Sequence, residues 1–423
     1  MTKAVIVAPF WHQVGHVGVT RLARFVRWLQ ADDIEIVLVR AGATDRVEEQ
    51  PWGVELVIAD PLKRYPESAS GGALPVASAR KPNKLRRQLG YLMFNPDSTV
   101  VWANRAAKHP LAVRYCSGAE FVLSSSPPES AHVAAWKLAS RIDARLLIDL
   151  RDGWLDEPLR PVLRASRLRR LREGILERAI LKDSSHIFVT SAVWAELLKE
   201  RLPFTHTKLT VLTNCYPSSM NADGPTSHQR ARGGRQLLVH TGQFSGSHLA
   251  RRPDLLLAPL LEGIRGGGTH GVLMLIGKSA KDDVEAVTRF RSRFLACGWS
   301  LEMHDPIPRD KLLGVLTQAD GLLLLSASPA AIPSKLFEYI PTGRPILAAT
   351  TSESAVWQLC RNVPQAYLVD YRHPGNARAV VERFLAAAVE RDTPAVCPQE
   401  FSETHVRSLF RATTRTCATT AGS

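Results

Sequence analysis

Short, continuous runs of apolar and β-branched residues recur along the chain, each followed by a stretch with helical spacing. This alternation constrains the fold most. In the first half the runs are "AVIVA" (4–8), "IEIVLV" (34–39), "VELVIA" (54–59), "EFVLSS" (120–125), "RLLIDL" (145–150), "HIFVT" (186–190) and "LTVLTN" (209–214). Hydrophobicity that is continuous rather than alternating implies strands covered on both faces. Strands separated by helices imply parallel α/β sheets. Around 216–235 the pattern gives way to "YPSSMNADGPTSHQRARGGR", which reads as a linker. It then restarts with "QLLVHTG" (236–242), "GVLMLIG" (271–277), "DGLLLLSA" (320–327), "PILAAT" (345–350) and "AYLVD" (366–370). The expected architecture is α/β: two Rossmann-like parallel-sheet domains facing a cleft. The boundaries are 1–215, a linker at 216–235, a second domain at 236–400, and a C-terminal helix and tail at 401–423. Residues 61–100 are less regular and are expected to hold loops and one helix.

A length of 423 residues suits two domains with ample cores, and 45% apolar with 22% charged residues is ordinary for a globular protein. The charge is not ordinary: 54 Lys+Arg against 40 Asp+Glu give +14. Such an excess favours anionic partners without choosing among nucleic acid, acidic lipid and phosphorylated small molecules. The six cysteines are scattered, with no CxxC pair and no Cys/His cluster, which argues against a zinc site or a disulfide framework. "MTKAVIVAPF" leads straight into a strand pattern, so no secretory leader is expected. No apolar run approaches the roughly 18 residues of a membrane span.

Four segments place chemistry-bearing residues at strand ends. In "APFWHQVGHVGVTRLARFVRWLQ", Gly15 and Gly18 would let backbone amides approach an anion at a helix start, although the spacing is not GxGxxG. His12 and His16 lie in the same loop; a solvent-exposed histidine is the plainer account of each. In "LLIDLRDGW", Asp149, Arg151 and Asp152 end a buried strand, where a carboxylate can take a proton from an acceptor hydroxyl. An Asp–Arg ion pair fixing the loop before Trp154 is the plainer alternative. In "TGQFSGSHLARRPDLLLAPLLEG", Gly242 is followed by Arg251 and Arg252, which suit a diphosphate near a helix start. Lys278 closes the next strand at the same edge. In "PSKLFEYIPTGRPILA" (333–348), Pro333 and Ser334 are expected to open and cap a helix, and Gly343 to end it. Glu338 can accept from both hydroxyls of a vicinal diol such as ribose, and Lys335 can reach a phosphate. An i,i+3 surface salt bridge between them is the plainer alternative.

The segment 159–182 interleaves Arg160, Arg164, Arg167, Arg169, Arg170 and Arg172 with leucine and isoleucine. It is compatible with an amphipathic helix on anionic lipid, and equally with a solvated basic helix. It lacks the aromatics of a single-stranded nucleic-acid platform.

These residues resemble glycosyltransferase family 4 (group 1), the bacterial surface-polysaccharide type included. "PSKLFEYIPTGRPILA" is similar to the family's E-x7-E region, with Glu338 as its second glutamate; "VGHVGVTRLARFVRWL" is similar to its N-terminal glycine loop, and "SSSPPESAHVAAWKLASRIDARLLIDLRDGW" to its acceptor-domain stretch. The resemblance implies the GT-B fold, a nucleotide-diphospho-sugar donor whose ribose meets Glu338, a lipid-linked saccharide acceptor, and no metal or other cofactor. It implies a cytoplasmic enzyme at the inner membrane face, with no nucleic-acid partner. Two positions depart from the family: Ala330 stands eight residues before Glu338, where the first glutamate belongs, and Gln243 replaces a phosphate-binding arginine. Donor phosphates would then rest on Arg251, Arg252, Lys278 and Lys335, with Gly15, Gly18, Gly242 and Ser334 beside them. A retaining route would pass the acceptor proton to the leaving phosphate, whereas an inverting route would use Asp152 or His16 as base. The alternatives are an inverting GT-B enzyme, a catalytically degenerate GT-B partner subunit and, more remotely, a basic nucleic-acid-binding protein.

Overall fold

The computed structural model describes residues 2–12, 17–64, 94–156, 166–216, 234–245, 252–266, 268–390 and 397–416. The chain divides into two compact units. The first is Met1–Thr190 with Trp194–Leu212 and Leu409–Ser423; the second is Ser191–Val193 with Thr213–Ser408. Most of the segment read as a linker, and most of 61–100, fall outside the described residues.

The first unit holds an eight-stranded sheet. Its strands are β1 (Lys3–Val7), β2 (Glu35–Gly42), β3 (Arg46–Gln50), β4 (Gly53–Ala59), β5 (Phe121–Ser126), β6 (Arg145–Leu150), β7 (His186–Val189) and β8 (Leu209–Val211). They lie in the order β3-β4-β2-β1-β5-β6-β7-β8. All neighbours are parallel except β3, which runs antiparallel to β4. The C-terminal helix Glu403–Thr416 returns to this unit, where Phe410 stacks on Phe25 at 4.7 Å and packs against Trp28 and Phe188.

The second unit holds six parallel strands: β9 (Gln236–Thr241), β10 (Gly271–Ile276), β11 (Trp299–His304), β12 (Gly321–Leu325), β13 (Ile346–Thr350) and β14 (Ala366–Asp370). Their order is β11-β10-β9-β12-β13-β14. The run "GLLLL" of β12 shows why its hydrophobicity is unbroken. Leu323 and Leu325 enter a core with the helices Asp254–Ile264 and Ala377–Glu390, while Leu322 and Leu324 enter another on the opposite face. Each fully buried leucine contributes about 1.5–3 kcal/mol.

In each sheet the connections diverge at one place, between β1 and β5 in the first and between β9 and β12 in the second. The crevice beyond the strand ends at such a point is the usual ligand site of an open parallel sheet.

Candidate donor site and the first switch point

In the second unit, Lys335 sits in the connection that follows β12, and its side chain reaches the end of β9. Its ammonium donates to the Thr241 carbonyl and, at 3.4 Å, to His240 Nε2. Buried His240 donates from Nδ1 to the Leu323 carbonyl at 2.9 Å, which leaves Nε2 as the acceptor. The imidazole is stacked on Phe244 at 4.4 Å, so its orientation is fixed by both edge and face. One turn beyond Lys335, the Tyr339 hydroxyl accepts from the Thr241 N–H at 3.0 Å and shares a hydrogen bond with Thr241 Oγ1 at 2.9 Å. Burial raises the Tyr339 phenol above its ordinary pKa, so it stays protonated. Lys335 and Tyr339 thus clamp one residue, Thr241, from both sides. Half-buried Glu338 is carried between them.

The backbone above this clamp admits only glycine. Gly242 has φ +88, and Lys335 Nζ lies 3.5 Å from where a Cβ would be. Gly277 has φ +151, and a Cβ there would meet the Gly242 carbonyl oxygen at 2.6 Å. The loops after β9 and β10 therefore approach each other closely, with exposed Lys278 next in the chain.

The helix start expected at Pro333 and Ser334 is corrected. The α-helix is the single turn Leu336–Tyr339, continued by a 3-10 turn, Ile340–Thr342, that ends at Gly343 with φ +68. Lys335 occupies the cap position without a side-chain cap, and Ser334 contributes its carbonyl, to the Phe337 N–H. The first turn is tightened by i→i+3 bonds, which replace the serine cap. Arg252 pairs with Asp254 at 2.9 Å on an exposed surface, so its charge is partly met by its own neighbour. Gln243 is half-buried, and Ala330 is fully buried. Arg251, Gly15 and His16 lie outside the described residues.

At the first switch point the expected Asp–Arg pair exists with a different arginine. Arg21 Nη2 meets fully buried Asp149 at 2.7 Å and also donates to the Leu212 carbonyl at 2.8 Å. Ser125 Oγ donates to the same carboxylate at 2.6 Å. Arg151 instead donates to the carbonyls of Ser126 and Pro127, at 2.8 and 2.7 Å. Gly18 proves to be a helical residue within Val17–Gln30, and the space its side chain would fill holds the Arg151 guanidinium, 2.3 Å from a Cβ placed there. Asp152 is exposed at the end of β6, on a loop pinned behind it by Trp154, whose Nε1 donates to Glu173 at 3.0 Å. Below, His132 is fully buried, shares a hydrogen bond with Ser124 Oγ at 2.8 Å, and lies against Trp154. Burial holds its imidazole down at about 3.

Of the sequence-derived candidates, the second unit brings Gly242 and Lys335 together, with Glu338 three residues after Lys335 in the helical turn. His240 and Tyr339 were missed. The histidine was visible as the one ring nitrogen in the apolar run "QLLVHTG", whereas nothing in the sequence marks Tyr339 as more than a core aromatic.

Residues 18–215 match the family model described as a glycosyl transferase 4-like domain. No curated protein matches the chain in sequence. Among solved structures, Anabaena Alr3699/HepE in complex with UDP and glucose is similar, with 12% identity and a TM-score of 0.60 over 98% of this chain and 100% of that one. The apo lipopolysaccharide outer core galactosyltransferase WaaB is similar at 12% identity and a TM-score of 0.53, covering 99% and 100%. The α,α-trehalose 6-phosphate synthase of Burkholderia multivorans is similar at 12% identity and a TM-score of 0.61, covering 100% and 98%. With two parallel-dominated α/β sheets in succession and these likenesses to solved structures, the chain has the GT-B fold, and its residues 18–215 are similar to a glycosyl transferase 4-like domain.

Proposed function

We propose that the chain transfers a sugar from a nucleotide-diphospho-sugar to a saccharide acceptor, lipid-linked and destined for surface polysaccharide or glycolipid. The observation that carries the donor is the clamp on Thr241. It holds an ammonium at the strand ends of the second switch point and a carboxylate one turn away. Lys335 attracts the diphosphate beside Gly242, whose lack of a side chain admits the backbone, and Glu338 accepts from the ribose hydroxyls. Lys278, Arg252 and Ser334 of the same unit are assigned to the donor surface with them. Alr3699/HepE, of the same fold, has been seen with UDP-glucose, which supports this class of donor.

In the reaction the bond from the anomeric carbon to the phosphate oxygen breaks and a bond to the acceptor oxygen forms. In the retaining route we favour, the acceptor proton passes to the departing phosphate on the same face. Cationic side chains meet the charge that develops on that phosphate, the role that most lowers such a barrier, and we assign no metal or other cofactor. An inverting route would need Asp152 or His16 as base. Cys116, Cys297, Cys360 and Cys397, which form no disulfide among the described residues, support a reducing, cytoplasmic setting. The net charge of +14 supports contact with an anionic membrane face.

A second reading is a partner subunit that binds donor without turnover. It is favoured by Ala330, which puts a fully buried methyl group where the family has a carboxylate. Both readings are tested by incubating the full chain with UDP-, GDP- and ADP-sugars and measuring nucleoside diphosphate release. Release with one base class, accelerated by a lipid-linked saccharide, is expected. Binding without release supports the partner subunit, and neither binding nor release overturns the proposal.

A further inference from the structure

The helix Arg167–Asp183 buries ionic groups along most of its inner side: Glu173 and Glu177 are fully buried and Arg169 is nearly so, and apolar side chains, Ile180 and Leu181, enter the core only toward its C-terminal end. Arg169 Nε meets Glu173 at 2.6 Å, and Arg201 meets Glu177 at 2.6 Å. Its outer side is apolar: Leu168 is 59% exposed, Leu171 61% and Ile175 63%. At roughly 100° per residue these three fall within an arc of about 60°, facing away from the buried carboxylates. Exposed Arg167, Arg172, Arg178 and Lys182 lie along or beside that arc, and exposed Arg170 follows Arg169. This corrects the sequence expectation of one arginine series for lipid: Arg169 is internal, while Arg160 and Arg164 lie outside the described residues.

We propose that this face docks on an anionic bilayer, the three aliphatic side chains entering the interface and the arginines meeting lipid headgroups. The placement deepens the membrane contact proposed above but rests on its own observations. Large apolar side chains on a charged surface mark an interaction site, and an apolar stripe edged by cations is complementary to a negatively charged, apolar-backed surface. A symmetric contact between two copies would set arginine against arginine. A nucleic acid would leave the leucine and isoleucine side chains unused, and no aromatic ring is on the stripe for bases to stack on. No helix among the described residues is long and apolar enough to cross a membrane, so contact would be at the surface.

Flotation of the full chain with phosphatidylcholine vesicles, with and without a third of phosphatidylglycerol, tests this. Wild type is expected to float with the anionic vesicles only. Leu168→Ser/Leu171→Ser/Ile175→Ser should lower the partition at least tenfold while nearly keeping the wild-type melting curve, because these side chains are mostly exposed. Arg167→Gln/Arg170→Gln/Arg172→Gln/Arg178→Gln should lower it by roughly a hundredfold to a thousandfold at low salt and much less at high salt. No flotation of wild type, equal flotation with neutral vesicles, or serine variants that bind as well as wild type would overturn the proposal. So would a concentration-dependent dimer abolished by the serine changes. Nucleoside diphosphate titration of the same proteins without vesicles is expected to be unaltered, which separates failure here from failure of the donor reading.

Discussion

The two switch points occupy equivalent places in their sheets and are built in opposite ways. At the first, two of the charged groups that end β6 are satisfied internally, Asp149 by Arg21 and Ser125 and Arg151 by two carbonyls, while Asp152 beyond them is exposed. At the second, Lys335 and Tyr339 hold the end of β9 while half-buried Glu338 stands between them. The first arrangement uses charge to fix loops, and the second uses hydrogen bonds to present charge. A carboxylate at a strand end is therefore a site candidate only when its partners leave it accessible.

The largest expected effect lies at the first point. Asp149→Ala leaves Arg21 buried with part of its charge uncompensated, a loss of about 3–5 kcal/mol and hence roughly 10 °C in Tm. Nucleoside diphosphate affinity, measured below the melting range, should stay within about twofold of wild type; a tenfold loss would make the first point part of the donor site. The next effect is acid sensitivity. The folded-state pKa of His132, about 3, lies below its unfolded value of 6.5, so the unfolded chain binds the extra proton first. Its contribution is complete above pH 6.5 and is lost as the pH falls toward 3, by up to about 1.4 kcal/mol per pH unit. Denaturation followed by tryptophan fluorescence at pH 7 and pH 5 should show a smaller acid loss in His132→Asn than in wild type. Equal losses would mean that His12 and His186, both held near about 4 by burial, carry the effect. At the second point, Lys335→Ala should weaken nucleoside diphosphate binding at least tenfold, from one charge-assisted contact of about 1.5–3 kcal/mol. Little change in Tm is expected, and a large fall with unchanged affinity would make Lys335 structural.

The fold was legible because most buried parallel strands contain a continuous apolar run of three or more residues, and such runs have few other uses. The strands the sequence concealed are edges. In β3, "RVEEQ" reads as a charged loop, and "WSLEMH" of β11 keeps only part of its length buried. Nor could the pattern show that the C-terminal helix returns to the first unit, because that depends on Phe410 finding Phe25 across the whole chain. Glu338 and Lys335 were legible as charges in an otherwise apolar helix-to-strand segment. Tyr339 was not, and His240 was visible only as a ring nitrogen in an apolar run, since an imidazole or phenol in a core declares no partner until the strands are assembled. Arg169 misled for the opposite reason: charge at helical spacing reads as surface, and here it is buried in a pair with Glu173.

The central claim, that Glu338 meets the ribose of a nucleotide donor at the second switch point, is tested most directly by calorimetric titration of wild type, Glu338→Gln and Glu338→Ala with UDP, GDP and ADP. One of the three is expected to bind wild type. Glu338→Ala should lose at least tenfold in affinity for it, from charge-assisted hydrogen bonds of about 1.5–3 kcal/mol each. Glu338→Gln, which keeps one acceptor, should lose less, and both melting curves should match wild type. Unchanged affinity, with a small stability loss that Lys335→Ala reproduces, would contradict the account and leave Glu338 as half of a surface salt bridge.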